Sequence, residues 1–184
     1  MSALAESPWA TLDAAQKHAR VLAVAGVLFA RDGVAVSMPT LAEALGVGVG
    51  SIYRQVGCKE DIVAALLLEH LRRTADRIEA GLRLPDAWEG LTTVTYDLVE
   101  EAAADGVARE LWALSSAHPA VAAERPRVSA ALEALVARAH EQGAVRPEVT
   151  VDDLRLVLQT SKHVELGADG ARRLAELALR GMRP

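Results

Sequence analysis

The sequence predicts an all-α fold of about nine helices, and three observations carry that expectation. Apolar residues recur at i, i+3, i+4 and i+7 along most of the chain, and no alternating strand pattern of useful length occurs. Ala and Leu dominate while aromatics make up 3%, a composition that favours helices over sheets. Gly, Pro and capping residues fall between the periodic segments, where helices need starts and stops.

The first helix is expected over 12–32, with Leu22, Ala25 and Phe29 on one stripe, ending at Asp32-Gly33. Ser37 is a good N-cap for a second helix, and Pro39 is tolerated in its first turn. Met38, Leu41, Ala42 and Leu45 then follow helical spacing up to Gly46. A third short helix is expected over 49–56, with Val49, Ile52 and Val56 facing inward. The fourth starts after Cys58, runs through Ile62, Val63, Leu66, Leu67, Leu71 and Ile78, and ends near Gly81. Pro85 opens a fifth, 86–104, broken by Asp105-Gly106. A sixth is expected over 107–117 and a seventh over 120–142. Thr150 caps an eighth from about 151, with Asp152 and Asp153 in its first turn, where the helix dipole favours negative charge. The ninth covers 171–182.

Bulk properties narrow the function. No stretch approaches the ~20 uninterrupted apolar residues that a membrane span needs. The start, "MSALAESPWATLDAAQ", lacks a basic segment followed by an apolar run and does not read as a signal peptide. The single cysteine, Cys58, rules out an intrachain disulfide framework and fits a reducing cytoplasm. The net charge of −5 argues against indiscriminate nucleic-acid binding. Its distribution is uneven: residues 1–83 hold nine basic and nine acidic residues, whereas residues 84–184 hold eleven and sixteen. The two parts are therefore expected to meet different partners.

The stretch "LGVGVGSIYRQVGCKE", residues 45–60, has two readings. A dinucleotide-binding loop should follow a strand and open a helix, but the preceding "PTLAEAL" is helical, and the Gly-Lys-Ser/Thr of a P-loop is absent. A helix-turn-helix explains more. Two short helices must cross through a tight turn, with a small residue at the approach and glycine where φ is positive. Ala42 and Gly46 supply these, Val47 follows the turn, and Ile52 anchors the second helix on the first. A plain helical hairpin can share several of these offsets.

Residues 20–63 resemble the N-terminal domain of the TetR family of transcriptional regulators. The matching pieces are Ala25 with Leu28-Phe29, Gly33, Ser37, Leu41-Ala42, Gly46-Val47, Gly50, Ile52-Tyr53 and Lys59-Glu60, in order and with the family's gaps. The resemblance implies a three-helix DNA-binding domain over 1–58 and an effector-binding and dimerisation domain over 59–184, bridged by the helix at 59–81. It further implies that the helix at 49–56 lies in the major groove of DNA. The DNA-facing set is then Ser37, Thr40, Gly48, Val49, Gly50, Ser51, Tyr53, Arg54, Gln55 and Lys59. Tyr53 and Lys59 stand where the family has phosphate-binding residues, and helix N-termini at Pro39-Thr40 and Cys58-Lys59 suit phosphates as well. Arg54 reads as either a guanine contact or a phosphate contact. This chain departs from the pattern at Gly48, Val49, Gln55-Val56 and Cys58, which leaves Arg54 as the one charge on the recognition helix. A redox role for Cys58 stands beside a plain substitution for a serine cap.

In the C-terminal part, the resemblance implies a ligand cavity. His70, Trp88, Tyr96, Trp112 and His163 stand out among Ala, Leu and Val as its candidate lining, and each reads equally as ordinary core. The expected dimer interface takes Leu154, Val157, Leu158 and Ser161 from the eighth helix and Leu174, Leu177, Ala178 and Gly181 from the ninth. Apolar residues mixed with small ones let helices pack closely into an isologous four-helix contact; the competing reading packs them inside one subunit. The histidines lack metal-ligand spacing, and Ser115-Ser116 with His118 has no nucleophile elbow, so neither metal, cofactor nor catalysis is expected. The combined expectation is a ligand-responsive homodimeric regulator, more readily a repressor, on a pseudo-palindromic operator and released by a small, largely apolar effector. The alternative is a dimeric small-molecule or protein-binding module whose DNA-reading head is degenerate.

Overall fold

Asp13 starts the first helix. Its carboxylate accepts the Gln16 N–H at 2.8 Å while the Gln16 side chain takes the Asp13 N–H at 3.0 Å, a reciprocal cap that satisfies two otherwise unpaired donors. The fold is seen in a computed structural model that describes residues 8–104, 110–111, 113–114, 116–163 and 167–184; the side chains of 104, 162 and 163 lie outside that description. Among the described residues the regular structure is helical, with no strand. The helices are α1 (Ala14–Asp32), α2 (Met38–Leu45), α3 (Val49–Val56), α4 (Lys59–Leu82), α5 (Ala87–Ala104), α6 (Pro119–Glu141), α7 (Val151–His163) and α8 (Gly167–Met182). A 3₁₀ turn at Trp9–Thr11 precedes them. The expected sixth helix, 107–117, lies largely outside the described residues, although Glu110, Leu111, Ala113 and Leu114 are helical.

Most boundaries agree with the caps in the sequence. α1 begins two residues later than expected because Asp13 caps it, and α8 begins at Gly167 rather than at 171. α6 continues through Pro126. A proline inside a helix removes one N–H and crowds the carbonyl four residues earlier. Here Ala122 and Pro126 both face water, so the freed carbonyl is solvated.

Two hydrophobic cores organise the described residues. The first gathers Val21, Ala25 and Phe29 of α1, Leu41 and Leu45 of α2, Ile52 and Val56 of α3, and Ile62 to Leu71 of α4. The second gathers Ile78 of α4 with Leu91, Val94 and Val99 of α5, Leu132 to Ala139 of α6, Leu154 of α7, and Ala175 and Leu179 of α8. α4 therefore belongs to both, and the change of core falls between Leu71 and Ile78.

The far end of α4 is held in two ways. Arg138 of α6 donates to the carbonyls of Leu82, Leu84 and Pro85, and Gln142 accepts the Ala87 N–H at 2.8 Å. Beyond that, α4 and α5 touch backbone to backbone. A Cβ on Gly90 would lie 2.5 Å from the Gly81 carbonyl oxygen.

Candidate nucleic-acid interface

Ser37 caps α2: its hydroxyl accepts the Thr40 N–H at 3.2 Å and shares a 2.8 Å hydrogen bond with the Thr40 hydroxyl. Both residues are exposed. Gly46 closes α2 in the left-handed region at φ 67°, and Val47 turns back to donate to the Ala42 carbonyl at 3.0 Å. This is a glycine C-cap, which lets the chain reverse within three residues.

α3 is fixed by one face. Ile52 is fully buried and Val56 nearly so, and Val49 is half-buried on the same side. The opposite face carries Gly50, Tyr53 and Arg54, all exposed, with Ser51 half-buried beside them. Tyr53 is 50% exposed, high for an aromatic side chain packed on a small domain. Arg54 donates to the Ser51 hydroxyl at 3.3 Å and so lies back along the first turn of α3. Gly48 caps α3 without any side-chain bond, and a Cβ there meets nothing within 4 Å. Gln55 goes elsewhere than to the exposed face: its amide donates to the Ala14 carbonyl at 2.6 Å and ties α3 to the start of α1. Nothing in residues 49–56 announced a partner 41 positions away.

The next turn brings Lys59, half-buried, to the first position of α4. Ahead of it, the Cys58 N–H and S–H both reach one oxygen of Asp61, at 2.8 and 3.0 Å. Hydrogen bonds to Asp61 and Glu60 push the exposed Cys58 thiol up and hold both carboxyls below their usual range. A thiol kept protonated is a poor redox sensor, so the geometry favours the cap reading of Cys58.

Of the candidate ligand residues, the three whose side chains are described do not converge on one place. His70 sits at the α4–α5 contact, its Nδ1 3.9 Å from Glu101. Burial pushes the Glu101 carboxyl up, but the Arg77 guanidinium, with His70 and Arg73 nearby, outweighs it and holds the group below the usual range. Trp88 and Tyr96 instead share an outer stripe of α5 under α8, where Arg183 and Arg172 lie 5.1 and 4.9 Å from their ring centres. Glu100, on that stripe, pairs with Arg172. Trp112 and the His163 side chain lie outside the described residues.

The expected interface set divides. Leu154, Val157 and Ser161 are buried within the subunit, and Leu158 and Ala178 pack against its core. Leu174 is half-buried, and Leu177 and Gly181 are exposed. Leu156, absent from the expected set, is 62% exposed on α7. Helical spacing marks two apolar stripes on such a helix but not which one faces inward.

A three-helix reading head joined by one long helix to a helical domain defines a helix-turn-helix transcriptional regulator. The comparisons agree. A family profile described as "Bacterial regulatory proteins, tetR family" matches residues 21–66, and one described as "Transcriptional regulator SbtR-like, C-terminal domain" matches residues 86–184. The chain belongs to the TetR family of transcriptional regulators. A solved TetR regulatory protein from Mycobacterium vanbaalenii is 29% identical, aligning over 94% of this chain and 98% of its own with a TM-score of 0.70. The TetR family regulator PfmR from Thermus thermophilus is 27% identical over 90% of this chain and 96% of its own, with a TM-score of 0.68. A comparison with curated proteins returns no match.

Proposed function

We propose that this regulator is a homodimeric, effector-responsive repressor that acts in the cytoplasm on a pseudo-palindromic operator. The observation that carries it is α3: its Ile52 and Val56 are buried, while Tyr53 and Arg54 are exposed on the other face and Lys59 follows at the first position of α4. Tyr53 and Lys59 bind phosphates, Ser37 and Thr40 meet the backbone at the start of α2, and Arg54 reads a base or a phosphate. Gly48 and Gly50, which carry no side chain, let α3 come close to DNA. The dimer forms through the exposed parts of α7 and α8, around Leu156, Leu177 and Gly181.

The effector is small and largely apolar, held in the C-terminal domain among Leu, Val and Ala with few polar groups. It acts by favouring the subunit arrangement whose heads no longer fit successive grooves, with couplings of about 1–3 kcal/mol typical of such systems. The role is binding, not catalysis.

One observation supports a second reading. α3 carries a single charge, and Gln55 is committed inside the head. A dimer that binds small molecules or proteins through a degenerate head fits these facts. Fluorescence anisotropy against the DNA upstream of the chain's own gene, across a salt series, separates the two. Specific binding whose log affinity falls with log salt by roughly 0.9 per phosphate supports the repressor. Absence of specific binding at low salt sinks it and leaves the second reading.

A further inference from the structure

The border between the two cores does not follow chain order. Leu111 and Val121 come after α5, yet both are buried in the core of the reading head, at 6% and 0% exposure. Beside Leu111, the Glu110 carboxylate accepts the Val34 N–H at 3.2 Å. Val34 lies in the turn between α1 and α2, and the same Glu110 oxygen is 3.7 Å from the place a Cβ on Gly33 would take.

A second reach is made from the start of α6. His118 caps that helix, its Nδ1 accepting the Ala120 N–H at 3.3 Å. A neutral imidazole that accepts at Nδ1 carries its proton at Nε2. That Nε2 is 3.9 Å from one oxygen of Asp61, whose other oxygen holds Cys58 at the head of α4. Glu110 and His118 therefore address the two turns that bracket α2 and α3, one before them and one after.

We infer that Glu110 is a positioning residue of the DNA-reading head. Its carboxylate pins the α1–α2 turn and, with His118 and the buried Leu111 and Val121, sets the angle at which α2 and α3 stand to the rest of the subunit. The inference rests on the DNA-reading function proposed above. A head joined through α4 alone turns about that helix; a head also bonded at the α1–α2 turn and packed on Leu111 and Val121 does not. In a dimer this matters at a distance. Two heads must enter successive major grooves about 34–36 Å apart, so a small rotation of each head changes the half-site spacing that fits.

Two variants of the full chain test it. Glu110→Ala removes the acceptor, whereas Glu110→Gln keeps a carbonyl oxygen in its place. Amide hydrogen exchange without DNA is the first measurement: the Val34 amide should exchange roughly tenfold faster in Glu110→Ala and close to the wild-type rate in Glu110→Gln. The second is selection from randomised duplexes carrying two half-sites at variable spacing. Wild type and Glu110→Gln should select one spacing; Glu110→Ala should recover the same half-site bases at spacings about one or two base pairs to either side. Unchanged exchange at Val34 overturns the contact itself. Faster exchange with an unaltered spacing preference overturns positioning and leaves Glu110 as a local stabiliser. If wild type selects no duplex, the DNA-reading function fails and the positioning role with it, while the exchange measurement still reports whether the contact exists.

Discussion

Gly46 and Gly48 stand two positions apart under opposite constraints. Gly46 adopts φ 67°, which side chains resist, and a Cβ there touches nothing, so its constraint is purely conformational. Gly46→Ala should destabilise the head by about 1 kcal/mol, read as a fall in denaturation midpoint. Gly48 has ordinary extended angles and open space. Gly48→Ser supplies the missing cap and should stabilise by only a few tenths of a kcal/mol, since glycine is itself a tolerable cap. At Cys58 the hydrogen bond to Asp61 keeps the thiol protonated. Reaction with an aromatic disulfide reagent near neutral pH should therefore be slower than for a free thiol and several-fold faster in Asp61→Asn; equal rates would mean that Asp61 does not control the thiol. Cap and turn positions were legible because Ser37 and Gly46 each act within a few residues. Gln55 was not, because its carbonyl partner, Ala14, opens α1 41 positions away.

At the level of elements, α4 and α5 make a close contact within the second core. Their backbones meet at Gly81 and Gly90, so Gly90→Ala forces a methyl against a carbonyl that cannot move aside. Such overpacking costs about 1–3 kcal/mol, and in a chain of this size the melting temperature should fall by several degrees. Further along the same contact, Glu101 pairs with Arg77 at partial burial. Its folded pKa lies below the unfolded one, so its contribution is present above the unfolded value and lost as pH falls through the folded value. The wild-type melting temperature should drop more steeply than that of Glu101→Gln between about pH 5 and pH 3. Parallel curves would show that the pair contributes nothing to stability. The helices were legible from periodicity and caps. Their mutual approach was not, since Gly81 reads in sequence only as a helix stop and periodicity does not show which backbone comes against it.

For the whole molecule, charge and exposed apolar surface divide the work. The acidic excess lies in residues 84–184, whereas residues 1–83 are neutral overall. A chain with net charge −5 is thus compatible with binding DNA through one end. At the other end, Leu156 and Leu177 leave apolar surface uncovered on α7 and α8. Leu177→Glu should leave the circular dichroism spectrum unchanged, convert a dimer to a monomer by light scattering, and weaken operator binding about a hundredfold or more through loss of bivalency. A dimer that survives the substitution would place the interface elsewhere.

The amino-acid sequence by itself determined the helical class, the caps and turns of the reading head, and a face of α3 bearing Tyr53 and Arg54, because these follow from spacings of a few residues and from the chemistry of single positions. It did not determine where long-range groups go. Tertiary structure sent Gln55 to α1, put Trp88 and Tyr96 against Arg183 and Arg172, and turned Leu154 and Ser161 inward while Leu156 turned out. It also drew Leu111 and Val121 into the core of the head. The inward and outward turns of α7 depend on which of two similar apolar stripes wins the interior, a competition settled by the other helices present, and Gln55 depends on a carbonyl that another helix supplies.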